Sequence, residues 1–159
     1  MNKDWTNKFC FDWVLINEIA VGTPPISQYD IEELQSNQIK SILSLCSVEE
    51  AKLFMNIEKL FHCERIVLPD HKTNQDTTFS ELTETLEIIA RLKKDGPVFI
   101  HCFASIERSP FICMAWLVKY HNLSAEDALD YLRGIHPQTN PLYSQFRLLQ
   151  KLENSQTNN

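Results

Sequence analysis

Within nine residues the chain places a histidine and a thiol, His101 and Cys102, then a guanidinium and a hydroxyl, Arg108 and Ser109, with Cys102 and Arg108 six positions apart. The apolar run Pro97-Val98-Phe99-Ile100 leads in and reads as a short buried strand, and an apolar helical stretch leads out. A strand, a tight loop and a helix start form a cup of backbone N–H groups at the positive end of a helix dipole, where a phosphate can sit. A cysteine on the rim of such a cup is stabilised as its thiolate, and an arginine closing the loop presents a planar fork to two phosphate oxygens. These residue types in this order predict phosphoester cleavage through a cysteinyl-phosphate. The bland alternative, a buried structural cysteine beside a surface arginine, accounts for neither the histidine before the sulfur nor the hydroxyl after the arginine.

To hold that loop the rest of the chain must supply strands and covering helices. Residues 13–16 and 19–22 read as two short strands closed by the turn Thr23-Pro24-Pro25. A helix follows over residues 27–37 with Ile31 and Leu34 on its inner face, and residues 41–45 form the next strand. Ser47 and Glu50 have the spacing of a capping box, which predicts a helix from there to residue 61, and residues 64–68 read as a strand halted by Pro69. The polar stretch 69–77 has neither periodicity and reads as an exposed loop. Thr78 and Glu81 form a second capping box ahead of the stripe Leu82, Leu86, Ile89, Ala90 and Leu92, a helix that Asp95-Gly96 stops.

Beyond Ser109, Pro110 suits a helix first turn, and Ile112, Ala115, Trp116 and Val118 continue it. Ser124 with Asp127 opens another helix, and a last one covers residues 142–152. Strands alternating with helices predict an α/β fold, a central, mainly parallel twisted sheet flanked by helices. In such a sheet ligands bind beyond the carboxyl ends of the strands, where the loop starting at His101 lies. The chain reads as one catalytic domain over residues 1–153, followed by a frayed polar tail over residues 154–159, with no repeats.

Composition narrows the partners. The chain is 43% hydrophobic and 23% charged, and 15 basic against 21 acidic residues leave a net charge of −6. That balance argues against a nucleic-acid partner and against docking on anionic membrane. No apolar run approaches a membrane span and the polar N-terminus has no signal-peptide profile, so a cytoplasmic monomer is expected. Five cysteines, Cys10, Cys46, Cys63, Cys102 and Cys113, give an odd count with no even framework, so reduced thiols are expected. No CxxC or HxxxH spacing occurs, and the adjacent pairs His62-Cys63 and His101-Cys102 point to opposite faces of a strand. Neither a metal nor a cofactor is expected.

The segment HCFASIERS resembles the HCxxGxxR[ST] loop of the cysteine-dependent protein-tyrosine phosphatases. The short length and the segment KYHNLSAEDALDYLR are similar to their dual-specificity branch, and the similarity extends from the first strands to Leu152. The resemblance implies a phosphotyrosine protein phosphatase-like fold with Cys102 as the nucleophile. It implies that Arg108 holds two phosphoryl oxygens through a near-planar transition state, with backbone N–H groups of Phe103, Ala104, Ser105, Ile106, Glu107 and Arg108 taking the remaining charge. It makes Ser109 the hydroxyl that hydrogen-bonds the leaving thiolate, and His101 the residue that orients the loop. A leaving alkoxide or phenoxide needs a proton. Asp70, at the carboxyl end of a predicted strand, falls where the resembling phosphatases carry their general acid; Asp76 on the same loop is the competitor. Cys46 follows a strand that lies beside the Cys102 strand in the resembling fold. It is thus either a partner that resolves an oxidised Cys102 as a disulfide or an ordinary buried thiol.

Between Cys102 and Arg108 three residues are apolar, Phe103, Ala104 and Ile106, one is Ser105 and one is the acidic Glu107. Relatives acting on inositol lipids tend to carry lysine or arginine here. This loop therefore favours a singly phosphorylated ester, phosphotyrosine or phosphoserine/threonine on proteins or peptides. The chain is short for the deep walls of a phosphotyrosine-selective pocket, which implies a shallow pocket accepting both classes. Two departures stand out. Ser105 occupies a position where the family usually has glycine, and a positive φ there costs a non-glycine residue about 1–2 kcal/mol. Thr139-Asn140-Pro141 departs from the family's usual Pro-Asn order. Three rival readings remain: a phosphoprotein-binding module that has lost catalysis, a phosphoinositide phosphatase, and a rhodanese-type sulfurtransferase. The last needs neither an upstream acid nor a hydroxyl after the arginine.

Overall fold

Each strand of the central sheet is only four or five residues long, and the inner strands send successive side chains into two different apolar layers. The computed structural model describes residues 8–158. Its strands are β1 (Phe11–Leu15), β2 (Ile19–Gly22), β3 (Ser41–Ser44), β4 (His62–Arg65) and β5 (Val98–His101), in the spatial order β1-β2-β5-β3-β4. β1 and β2 form an antiparallel hairpin, and every other pairing is parallel. Along β5, Val98 and Ile100 join Ile19, Val21 and Leu43 in one layer, while Phe99 joins Ala20 and Ile42 in the other. The first layer is covered by α2 (Phe79–Leu92), α3 (Arg108–His121), α4 (Ala125–Ile135) and α5 (Tyr143–Thr157), the second by Ile31 and Leu34 of α1 (Gln28–Ser36). The expected α/β architecture, a mainly parallel sheet flanked by helices, is the one found.

β5 is the middle strand, and its last residue, His101, is in register with Gly22 on one side and Ser44 on the other. The loop beyond it therefore leaves from the centre of the sheet's carboxyl edge. α3 receives that loop, and all of its residues from Arg108 to Val118 are buried, as an apolar-all-round helix requires. The residue ahead of α3, Glu107, makes no capping hydrogen bond with its side chain. The first-turn N–H groups are thus uncapped by it on the side facing the loop.

Several helix starts follow the residues that predict them. Thr78 Oγ1 accepts from Glu81 N and Glu81 Oε1 from Thr78 N, both at 3.0 Å, and Ser124 Oγ accepts from Asp127 N at 3.1 Å. The Ser47–Glu50 box also forms, with Ser47 N donating to Glu50 Oε2 at 2.8 Å, yet the helix predicted to residue 61 does not follow. The Glu50 carboxylate is turned to Arg108, Asn56 adopts a left-handed φ of 61°, and only a single 3₁₀ turn, Ile57–Lys59, forms. The strand expected at 64–68 lies two residues earlier, because pairing with β3 begins at His62; Ile66 N and Leu68 N still donate to Ser44 O and Leu45 O. The last helix runs past residue 152 to Thr157. Most of the segment expected to fray is therefore helical, tied down where Gln156 Nε2 donates to Lys119 O at 3.2 Å. Asn159 lies outside the described residues.

Candidate active site

β5 ends in a histidine with no solvent exposure, and burial pushes its imidazole down to about 4, so the ring is neutral. A carbonyl oxygen can only accept, so the 3.0 Å contact with Cys102 O makes Nδ1 the donor; Nε2 then accepts from the Ser44 hydroxyl at 2.6 Å. His101 thereby joins the turn at Cys102 to the neighbouring strand. Cys102 Sγ lies 3.2 Å from Ser109 Oγ and receives the Ser105 N–H at 3.3 Å. Ser105 has φ 56°, in the left-handed region, and a serine held there stores strain on the order of 1–3 kcal/mol. The loop is braced from behind by Asn140, whose backbone N–H donates to Ile106 O at 2.8 Å. The supporting contact at the Thr139-Asn140-Pro141 segment thus runs through the Asn140 main chain, and it needs a residue other than proline at that position.

Arg108 is 4% exposed and closes the loop. Its Nη2 and Nη1 donate to Glu50 Oε1 and Oε2 at 2.8 and 3.2 Å, a forked pair, and Nη1 also reaches Leu68 O at 3.3 Å. Burial is the largest single influence and opposes its charge, but Glu50 together with the Cys102 and Cys46 sulfurs leaves the guanidinium's pKa raised; the Glu50 contact, ahead of a smaller opposing burial effect, holds the Glu50 carboxyl below its usual range. Arg108 Nε is buried without a partner among the described residues. A group in the cup can use that donor without breaking the Glu50 pair. Glu50 entered the sequence reading only as half of a capping box, since nothing in Ser-x-x-Glu spacing foretells a partner 58 residues away.

Asp70 stands on the opposite rim, with Oδ2 4.0 Å from Arg108 Nη2 and Oδ1 accepting from Lys72 N at 2.9 Å. Asp76 is exposed and does not line the cavity. The cavity, about 250 Å³, is walled by Glu50, Asp70, Lys72, Cys102, Ile106 and Arg108, among others. A larger groove, about 820 Å³, lies against α4 and α5 and contains no cysteine or histidine, so size alone does not mark the chemistry. Glu107 clasps the Asp70 loop: its Oε1 accepts from His71 N at 2.8 Å and its Oε2 lies 3.2 Å from His71 Nδ1. Phe103 and Ile106 expose their side chains at the mouth, and Ser105 is fully buried beneath them.

Two further residues come to this site without warning from the sequence. His136, at the end of α4, is fully buried against Ser105, and Asp12 of β1 sits on its far side. Cys10 lies beside them, so Cys10, Asp12 and His136 form a cluster of metal-ligand types that spacing rules could not see, because its members come from opposite ends of the chain. The short His136–Asp12 contact and a Cys10 thiol pushed up to about 11 by burial describe a hydrogen-bonded group better than a ligand set. Cys46 is buried, and burial, aided by Glu50, raises its thiol, which favours the ordinary buried-thiol reading.

Comparison with known proteins bears on what this geometry is for. The family model "Dual specificity phosphatase, catalytic domain" matches residues 25–155. Mouse dual specificity protein phosphatase 2 is 28% identical over 125 residues, which are 78% of this chain and 37% of that protein. The chain thus spans little more than a third of that relative's length. Among solved structures, PTPMT1 in complex with PI(5)P matches with a TM-score of 0.80 at 16% identity, covering 93% of this chain and 97% of that one. The human tyrosine phosphatase-like serine/threonine/tyrosine-interacting protein matches with a TM-score of 0.77 at 22% identity, covering 92% and 97%. At these identities the structural likeness establishes the fold.

Proposed function

The chain belongs to the dual specificity phosphatase catalytic-domain family, and from that premise we propose that it hydrolyses phosphotyrosine and phosphoserine/threonine monoesters of proteins through a cysteinyl-phosphate. The observation that carries this reading is convergence. Cys102, Arg108 and Asp70 border one cavity, and Ser109 lies 3.2 Å from the sulfur beneath it.

In the first half-reaction the Cys102 thiolate attacks phosphorus while Asp70 gives its proton to the departing oxygen, so that the P–O bond breaks and an alcohol or phenol leaves. Arg108, held in plane by Glu50, and the loop N–H groups take up charge on the equatorial oxygens. In the second, water attacks phosphorus and its proton passes to the Asp70 carboxylate. The P–S bond breaks with its electron pair on Sγ, which the Ser109 hydroxyl and the Ser105 N–H stabilise as phosphate departs. His101 acts through its neutral ring by fixing the turn at Cys102.

Three carboxylates, Glu50, Asp70 and Glu107, line the cavity against the cations of Arg108 and Lys72. A headgroup with several phosphates meets repulsion there, which favours a single phosphate on a peptide over a multiply phosphorylated inositol lipid. The acidic balance of the whole chain supports the same preference and suits a cytoplasmic, monomeric enzyme rather than one working on nucleic acid or anionic membrane. Among the described residues no helix is long and apolar enough to cross a membrane.

The test is release of phosphate from para-nitrophenyl phosphate and from matched phosphotyrosyl, phosphothreonyl and phosphoinositide substrates. Activity on both peptides, indifferent to EDTA and absent in Cys102→Ser, is expected. A dominant lipid preference, a chelator effect or turnover by Cys102→Ser contradicts the reading.

A further inference from the structure

Ser105 is buried completely in a left-handed conformation, and its side chain is the middle of a hydrogen-bonded line running from the nucleophile to the edge strand β1. Cys102 Sγ is 3.2 Å from Ser109 Oγ, which is 3.2 Å from Ser105 Oγ, which is 3.1 Å from His136 Nε2. On the other side of the ring, His136 Nδ1 is 2.6 Å from Asp12 Oδ2. A glycine would hold the same φ with less strain but would leave this line broken.

The acceptors around His136 place the hydrogens on its ring. Nε2 faces the Ser105 carbonyl oxygen at 2.7 Å, and a carbonyl only accepts, so Nε2 carries a hydrogen. Nδ1 faces a carboxylate oxygen, and two lone pairs do not sit 2.6 Å apart, so a proton lies between them too. Cys10, 4.0 Å from Nδ1 and 3.5 Å from Asp12 Oδ2, stays a neutral thiol because burial pushes it up to about 11, and Gln138 Nε2 donates to its sulfur at 3.4 Å. The one Nε2 hydrogen is shared between the Ser105 carbonyl oxygen and Ser105 Oγ, which leaves Ser105 Oγ free to give its own hydrogen to Ser109 Oγ. Ser109 then has its hydrogen left for the sulfur.

We propose that Asp12, His136 and Ser105 are positioning residues that fix the Ser109 hydroxyl as a donor to Cys102 Sγ, and that their effect falls on breakdown of the cysteinyl-phosphate. The inference rests on the reading of Cys102 as nucleophile. When water attacks phosphorus and the P–S bond breaks, the electron pair returns to Sγ, and the line has already aimed a hydrogen at it. Without Ser105 Oγ, Ser109 can rotate its hydrogen elsewhere and the leaving thiolate loses that donor.

The experiment is steady-state and stopped-flow kinetics on para-nitrophenyl phosphate with Ser105→Gly, His136→Gln and Asp12→Asn. Nitrophenolate leaves readily, so a slowed breakdown of the intermediate is read directly in kcat and in the burst. In Ser105→Gly, kcat and KM should fall together by ~10-fold, with kcat/KM held within about twofold and a burst of nitrophenolate ahead of the steady state. His136→Gln should do the same, and Asp12→Asn should move in that direction. Ser105→Gly relieves backbone strain, so it decides the matter even where His136→Gln fails to fold. A Ser105→Gly enzyme with the parent kcat, or one whose kcat/KM collapses with no burst, overturns the proposal. Turnover by Cys102→Ser would instead remove the nucleophile reading itself, a separate outcome.

Discussion

The floor and the rim of the cavity are built in opposite ways. The floor, Cys102 with Ser105, Ser109, His101 and His136, is closed to solvent, and nearly every polar atom in it has a fixed partner. The rim, Asp70 and His71 on the 69–77 loop, is partly exposed and is held by one carboxylate, Glu107, from the facing loop. On the proposed mechanism a fixed, dry floor suits the sulfur, whose job as nucleophile would be the same for every substrate. A loosely clasped rim suits the acid role proposed for Asp70, whose task would depend on which oxygen leaves and how large a side chain it leaves from. Arg108 joins the two, buried like the floor yet oriented by Glu50 from the rim.

Substitutions should separate the two regions by magnitude and by substrate dependence. Arg108→Lys keeps the charge but loses the fork and the Glu50 pair, and kcat/KM should fall by ~10³-fold on every substrate. Asp70→Asn should lower kcat by ~10²-fold on a phosphothreonyl peptide and far less on para-nitrophenyl phosphate, whose leaving group needs little help. Asp76→Asn should do neither; the reverse pattern reassigns the acid. The floor also carries a stability signature. His101 binds its proton only near pH 4 when folded but near 6.5 when unfolded, so stability is full above that upper value and is lost as pH falls between the two. Lowering pH from 7 to 5 should cost about 2 kcal/mol in urea unfolding, a loss that His101→Asn abolishes. Glu50→Gln, which frees Arg108 to rotate, should cost ~10-fold in kcat/KM. Glu107→Gln should give the smallest effect, about threefold in kcat, confined to substrates that need the acid; an equal loss on para-nitrophenyl phosphate would place Glu107 with the floor.

What could be read beforehand was what is local. Cys102, Arg108 and Ser109 share one loop, and Asp70 follows the segment read as a strand over 64–68, so spacing, strand order and the family resemblance brought them forward, although strand pairing ends at Arg65. The sheet and most helices follow from the short apolar runs of β2 and β5 and from cap residues at Thr78 and Ser124. Capping-box spacing misled at Ser47 and Glu50, because the same carboxylate that can cap a helix can also turn to an arginine. Residue types hid β4, an edge strand whose His62 and Arg65 face solvent and break the apolar pattern. His136 and Asp12 were illegible for a deeper reason: they are 124 residues apart and meet only through the packing of α4 against β1.

The most direct measurement is peptide mapping of Ser109→Ala enzyme quenched during turnover of a phosphotyrosyl peptide. With breakdown slowed, a phosphoryl group should be found on Cys102 and on no other residue. Sustained turnover with Cys102 unmodified, or label on a histidine or aspartate instead, would contradict the account.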